Sequence, residues 1–370
     1  MPLNAPSEDP VEYAEQALLG ALLHQPDHLP AISRQLHTQD WTLPTHRALY
    51  QAINQRPTPH TETEHRAWYV AVTSAAARTI RTFTPAYAST LLSCCPDPAN
   101  APAYARMVLA GSIRRTIARH AHRLAQAARI DTAGGLQPDN TLAAHRELAD
   151  AARQATARWG TVAPRPVTLP ATERSASAPP SQTRDEEGLL AALAASPDTI
   201  HHTARWLTPD NFCHDRHKII YECMTTLHHR CDPIDPVTLT WEAQQLGALA
   251  HNRLTPQDIR HLTTPRSGDS AYWADRLLKT ALIRTAATAG TAVRTAAEEP
   301  STAPGALLAA CRTATARIDE AHQRWRGHRQ DATETRAGPA QPVVHYGRAV
   351  TPPGNSVPAE APRAAHRRPK

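Results

Sequence analysis

A chain of 370 residues is long enough for two domains of ordinary size, and 41% hydrophobic residues suffice for packed cores. Abundant alanine, sparse glycine (14) and the absence of runs rich in Val, Ile and aromatics favour helices over sheets, while 33 prolines point to linkers or tails. The formal charge of +6 is concentrated from Arg326 onward, where eight Arg/Lys face three Asp/Glu; a membrane span is excluded by the pattern, neither a secretory signal nor a disulfide framework is expected, and a cytoplasmic chain is expected.

In chain order, Asp9-Pro10-Val11-Glu12 carries the signature of a helix start, with Asp9 as cap, Pro10 at the first helical position and Glu12 reaching back to the cap. Ala14, Ala17, Leu18, Ala21 and Leu22 then fall on one helical face, and Pro26 closes the helix. A long helical run is predicted over Tyr104–Ile130, followed by another over Thr141–Arg158. The segment from residue 160 to 182, rich in Pro, Ser and Thr, reads as a flexible linker with a random-coil span of about 25–30 Å.

Beyond it the same order begins again. Thr183 and Glu186 are expected to cap a helix whose apolar face holds Leu189, Leu190 and Leu193, with Pro197 as its stop. Asp235 caps a further helix opened by Pro236 and ended by Gly247. Long runs follow over Tyr272–Ala297 and Ala306–Arg324, and residues 326–370 have too few apolar side chains to fold alone.

This is an internal duplication. Aligned without a gap at an offset of 171, Glu15–Tyr50 and Glu186–Tyr221 share 11 identities in 36, among them Leu18/Leu189, Pro26/Pro197, Asp27/Asp198, His46/His217 and Tyr50/Tyr221. Trp41 stands opposite Phe212, so an aromatic is kept where the chain turns between helices. Chance similarity of two alanine-rich helices accounts for the leucines but not for the ungapped Pro-Asp, His and Tyr positions.

The pattern E-x-x-L-L-x-A-L-x-x-x-P-D, then an aromatic, then H-[RK]-x-[LI]-[IY]-Y, resembles the N-terminal domain of DnaB-type replicative DNA helicases. The second copy adds CDPIDPVTLTWEAQQLGAL, Cys231 to Leu249, similar to that family's most characteristic stretch; the first copy departs there, with RPTPHTETEHRAWYVAV. The resemblance implies an all-α protein of two tandem helical-bundle domains, residues 9–159 (diverged) and 183–325 (better matching), with a Pro-rich linker and a disordered basic tail. It further implies a helical hairpin that pairs with another copy and a docking surface for primase, helicase or loader. The family's nucleotide-hydrolysing motor is not expected here: a phosphate loop needs G-x-x-x-x-G-K-[ST], and Lys218, Lys279 and Lys370 all lack a preceding glycine. No cofactor is expected, and the expected role is non-catalytic. The rival expectation is a nucleic-acid-binding regulator that reuses the fold outside the replisome.

Other chemistry is weaker. Cys213, His217, Cys223, His228, His229 and Cys231 suggest zinc, but only Cys213 and His217 approach a ligand spacing, and His217 matches His46, which has no cysteines near it. A packing or hydrogen-bonding role is expected for both. Arg114, Arg115, Arg119 and Arg123 recur at helical spacing after Arg106. A solvated face explains them, while contact with DNA or an acidic partner is the functional reading, shared by Arg284 on the second long run and Arg367 and Arg368 in the tail. Tyr104 and Tyr272 are expected to anchor the two long helices by packing. The two copies are expected to pair within one chain through those helices, because tethering gives a roughly millimolar effective concentration.

Overall fold

The computed structural model describes residues 7–160, 180–250, 253–265 and 268–337, and the described residues form helices and no strand. The first half runs α1 (Pro10–His24), α2 (Leu29–Ile32), α3 (Pro44–Asn54), α4 (Glu62–Thr79), α5 (Pro85–Ser93), α6 (Ala101–Ala133) and α7 (Asp139–Trp159). The second repeats the order as α8 (Pro180–Ala195), α9 (Ile200–Thr203), α10 (Asp215–His229), α11 (Pro236–Gln245), α12 (Pro256–Leu262), α13 (Ser270–Glu298) and α14 (Pro304–Ala337). The chain is all-α, and the repetition continues beyond the region of clear sequence likeness. Phe83-Thr84-Pro85 and Leu254-Thr255-Pro256 open α5 and α12 at the same offset of 171, with Thr84 and Thr255 both capping.

Local signals place most helix ends. Asp9 accepts from the amides of Val11 (2.8 Å) and Glu12 (2.9 Å), as its sequence predicts. Glu12, however, accepts from Ser7 Oγ at 2.9 Å instead of reaching the cap. Asp235 caps α11 through Val237 N and Thr238 N, and Gly247 beyond its end adopts φ 68°, a left-handed value that costs glycine little. The Thr183–Glu186 cap does not form. The α8 helix already starts at Pro180, so both residues lie inside it, and Glu186 is buried and turned towards the α10 turn.

In each half α1 or α8 is the buried centre. The α1 helix packs on α6, α5 and α3, and α8 packs on α13 and α10. Leu18, Leu19 and Leu22, and their repeats Leu189, Leu190 and Leu193, are fully buried. Burying a leucine contributes about 1.5–3 kcal/mol, so these positions hold each half together. Trp41 lies against Tyr50 (ring centroids 4.7 Å) and Phe212 against Tyr221 (5.0 Å), so the aromatic pair at the helix turn is kept in both halves.

The long helices join the halves. Hairpin α6–α7 and hairpin α13–α14 come together as a four-helix bundle, with α6 on α13 the most extensive helix contact among the described residues and α7 on α14 beside it. Small residues set the approach: a Cβ on Gly290 would lie 2.8 Å from the Ala121 carbonyl oxygen and 3.0 Å from the Ala125 nitrogen. Ala128 and Leu136 of the first half pack with Ile283 of the second. Polar contacts close the ends: His145 Nε2 meets Asp319 Oδ1 at 2.8 Å, and Arg114 donates to the Glu299 and Pro300 carbonyls, both at 2.7 Å. Arg114 also donates to the Thr302 carbonyl, so one cation of the first half satisfies the carbonyl end of α13.

The expected tail boundary at Arg326 is corrected. The α14 helix continues to Ala337, because polar contacts hold what few apolar side chains cannot. Trp206 Nε1 donates to Asp331 Oδ2 at 2.9 Å, His328 Nε2 meets the Ala271 carbonyl at 3.0 Å, and the Trp206 ring lies so close that a Cβ at Gly327 would sit 2.3 Å from it. Most of the expected linker and the tail beyond residue 337, with Arg367 and Arg368, lie outside the described residues.

Candidate functional site

The residues repeated without gaps build a buried polar node in each half. Glu15 is fully buried and accepts from Thr42 N (2.8 Å), Thr42 Oγ1 (2.7 Å) and His46 Nδ1 (2.7 Å). Glu186, equally buried, accepts from Cys213 N (2.6 Å), His214 N (3.3 Å) and His217 Nδ1 (2.6 Å). Tyr50 and Tyr221 donate to the carbonyls of Leu36 and Leu207, at 3.1 and 3.3 Å. Each carboxylate thus staples the turn that leads into α3 or α10. Burial alone would raise the Glu186 pKa, but the His217 and backbone hydrogen bonds outweigh it and hold the carboxyl below its ordinary value. These nodes explain the His and Tyr identities as structural.

No group of three metal-ligating side chains comes together among the described residues. His217 is taken by Glu186, Cys213 Sγ touches the Arg284 guanidinium, and burial pushes the Cys223 thiol up to about 12, which disfavours the thiolate that zinc requires. Cys231 lies exposed in the turn after α10.

The arginine row is divided in its uses. Arg114 caps α13 as described. Arg115 donates to the Asp40 carbonyl and lies 3.8 Å from Glu15, so it braces the first node. Arg284 does the same in the second half, donating to the carbonyls of Asp210 (3.1 Å) and Asn211 (2.9 Å). These three belong to the fold, a role that helical spacing could not distinguish from a binding face. Arg106 is exposed and stacks over the Trp159 ring at 4.6 Å, and Arg123 reaches Glu147 Oε2 at 3.5 Å. Arg119 is exposed and makes no hydrogen bond or ion pair among the described residues. The solvent-facing cations of the row are therefore Arg106, Arg119 and Arg123. Tyr104 packs against the core, but Tyr272 is 54% exposed and leans on Trp273 and Arg276, so it is no buried anchor.

One surface was not legible as a site. The stretch Pro233–Leu249 presents Val237 (78% exposed), Trp241 (67%) and Leu246 (47%) on α11 and its end. Val237, Trp241, Pro236, Leu249, Pro256 and Arg260 line a shallow groove of about 470 Å³. Large apolar side chains grouped on a surface mark interaction sites. The four-residue step from Val237 to Trp241 was the available signal, since it puts both on one helical face.

The family model of the DnaB-like helicase N terminal domain matches residues 8–110 and 178–259, together half of the chain. Among the curated proteins, the chain is similar to the replicative DNA helicase DnaB of Leifsonia xyli subsp. xyli (strain CTCB07), at 26% identity over 118 residues, and to that of Mycobacterium leprae (strain TN), at 27% over 128 residues. The replicative DNA helicase DnaC of Bacillus subtilis (strain 168) is 30% identical over 120 residues. These alignments cover 31%, 34% and 30% of this chain and 25%, 21% and 25% of the helicases, so the chain spans about a quarter of the length of the relatives it matches. No solved structure matches the chain. On its two-part match and its twice-repeated helical order, the chain belongs to the DnaB-like helicase N-terminal domain family.

Proposed function

We propose that the protein is a non-catalytic interaction module of DNA replication, which docks a helicase, primase or loader. Two N-terminal units, about residues 9–159 and 183–337, stand in one chain as a covalent pseudo-dimer. The observation that carries this reading is the exposed Val237–Trp241–Leu246 face. It is formed by the stretch of sequence most like the family, while the long helices that pair copies are already engaged with each other. The internal pairing thus leaves α11 as the apolar surface for a partner. The matched region of the relatives, which are named replicative helicases, supports the setting.

The test is affinity capture from native cells with the full chain and with Trp241→Ala. Wild type should retain a replicative helicase, its primase or its loader, and the variant should lose about tenfold or more in affinity, as expected for a central aromatic anchor. Purified protein should show no DNA-stimulated ATP hydrolysis. A second reading, a nucleic-acid-binding regulator, draws on exposed Arg106, Arg119 and Arg123 and the basic residues after 326. DNA affinity falling with salt at a slope of about −0.9 per phosphate contacted, with none of those proteins captured, would replace the first reading by this one.

A further inference from the structure

The partner of the repeated histidine differs between the two halves, and in the second half that histidine borders a cavity. In the first half the imidazole of His46 is closed off on both sides: Nδ1 meets Glu15, and Nε2 meets the Tyr87 hydroxyl of α5 at 2.6 Å. At the offset of 171 the place of Tyr87 is taken by Asp258 of α12. Asp258 accepts from Thr255 N at 2.9 Å and from Arg216 Nη1 at 3.1 Å, and does not reach the imidazole. His217 is 5% exposed as a whole residue, and its Nε2, which has no hydrogen-bond partner among the described residues, keeps contact with solvent.

What His217 faces is an open cavity of about 530 Å³, lined also by Thr183, His214, Asp215, Arg216 and Arg253. Two guanidinium groups, two imidazoles and a hydroxyl converge there, beside the amino end of the 15-residue helix α10. Thr183 Oγ1 and His214 Nε2 are hydrogen-bonded at 2.8 Å, and the His214 and His217 rings lie 5.0 Å apart, so the wall is held in place before any ligand arrives. Asp215 is the one carboxylate in the lining, and it is itself engaged. We propose that this cavity binds a phosphate-class oxyanion.

The chemistry follows from the groups present. The α10 end and the arginines supply positive potential, and Arg253 is exposed at the rim, where its planar donors can meet two oxygens at once. Because Glu186 accepts from Nδ1, the Nε2 of His217 is left to accept from a protonated oxygen of the ligand, such as the hydroxyl of hydrogen phosphate or of a ribose. A cation is disfavoured, since two arginines repel it and no group of three ligands is placed to hold a metal ion among the described residues. The volume exceeds that of a lone phosphate and falls in the range of about 300–1,000 Å³ usual for small-molecule sites. The phosphate can therefore come free or on a nucleoside.

The experiment is isothermal titration of the full chain with inorganic phosphate, with adenosine monophosphate and with adenosine. Both phosphates should bind and adenosine should not; tighter binding of the monophosphate would assign the source to a nucleotide, and equal binding to free phosphate. Arg253→Gln, at an exposed position that the fold does not use, should weaken binding by about tenfold or more, the loss of one charge-assisted hydrogen bond. Asp258→Tyr, which installs the side chain found in the first half, should abolish it while the circular dichroism stays that of wild type. Wild type that binds neither phosphate, or that binds them no more tightly than Arg253→Gln, would overturn the proposal.

Discussion

Glu15 and Glu186 show why an identity between two copies need not mark chemistry. Each carboxylate is fully buried and holds three donors, so its removal leaves a buried imidazole and two backbone or hydroxyl donors unmet. Glu186→Ala is expected to cost about 3–5 kcal/mol, the usual penalty for breaking a buried pair from one side. The shift in urea midpoint measures it, and a loss under about 1 kcal/mol would show the node to be dispensable. The pH dependence has a definite sign. The folded pKa of Glu186 lies below the ordinary 4.5, so its contribution is complete above the ordinary glutamate range and is lost as pH falls through the lowered value. Urea midpoints should therefore drop on acidification below pH 4.5 in wild type, and less steeply in Glu186→Ala. Equal acid sensitivity in the two proteins would assign the effect to other carboxylates.

At the scale of elements, the contact between α6 and α13 rests on side chains small enough to let two backbones meet. Gly290→Val places new atoms against the Ala121 carbonyl and the Ala125 backbone, which cannot swing aside as a flexible side chain could. A loss of about 1–3 kcal/mol is expected from the overpacking, read as a lower thermal midpoint. Faster amide exchange along both α6 and α13 should accompany it. Unchanged exchange in α6 would mean that the two helices are not coupled.

How much of this was legible depends on the range of the signal. Asp9, Asp235 and Gly247 act on neighbours two to four residues away, and their caps were readable from spacing alone. Thr183–Glu186 satisfied the same pattern and was no cap, because the pattern cannot register that Glu186 is claimed by His217, 31 residues on. The α5 and α12 pair was also within reach, through the shared Thr-Pro at the offset of 171, but is too short for a periodicity argument. The extension of α14 was hidden because its anchors, Trp206 and Ala271, lie more than 50 residues away. Among the candidate arginines, spacing showed a common helix but not that Arg114 faces the other half of the chain.

The whole molecule is organised by its duplication. Two units, each of seven α-helices among the described residues, meet through their long hairpins, with a hydrophobic core running from Ala14 to Trp325. Covalent joining raises the effective concentration of each hairpin at the other to roughly millimolar, so that pairing needs no second chain. Among the described residues, no helix is long and apolar enough to cross a membrane. Lysine-directed cross-linking is poorly suited to the contact, because the chain has only Lys218, Lys279 and Lys370. The direct test is backbone ¹⁵N relaxation on the dilute full chain. A shared rotational correlation time for residues 7–160 and 180–337, of a size fitting one compact monomer, is the predicted result; two shorter, independent correlation times would contradict the packing of α6 on α13.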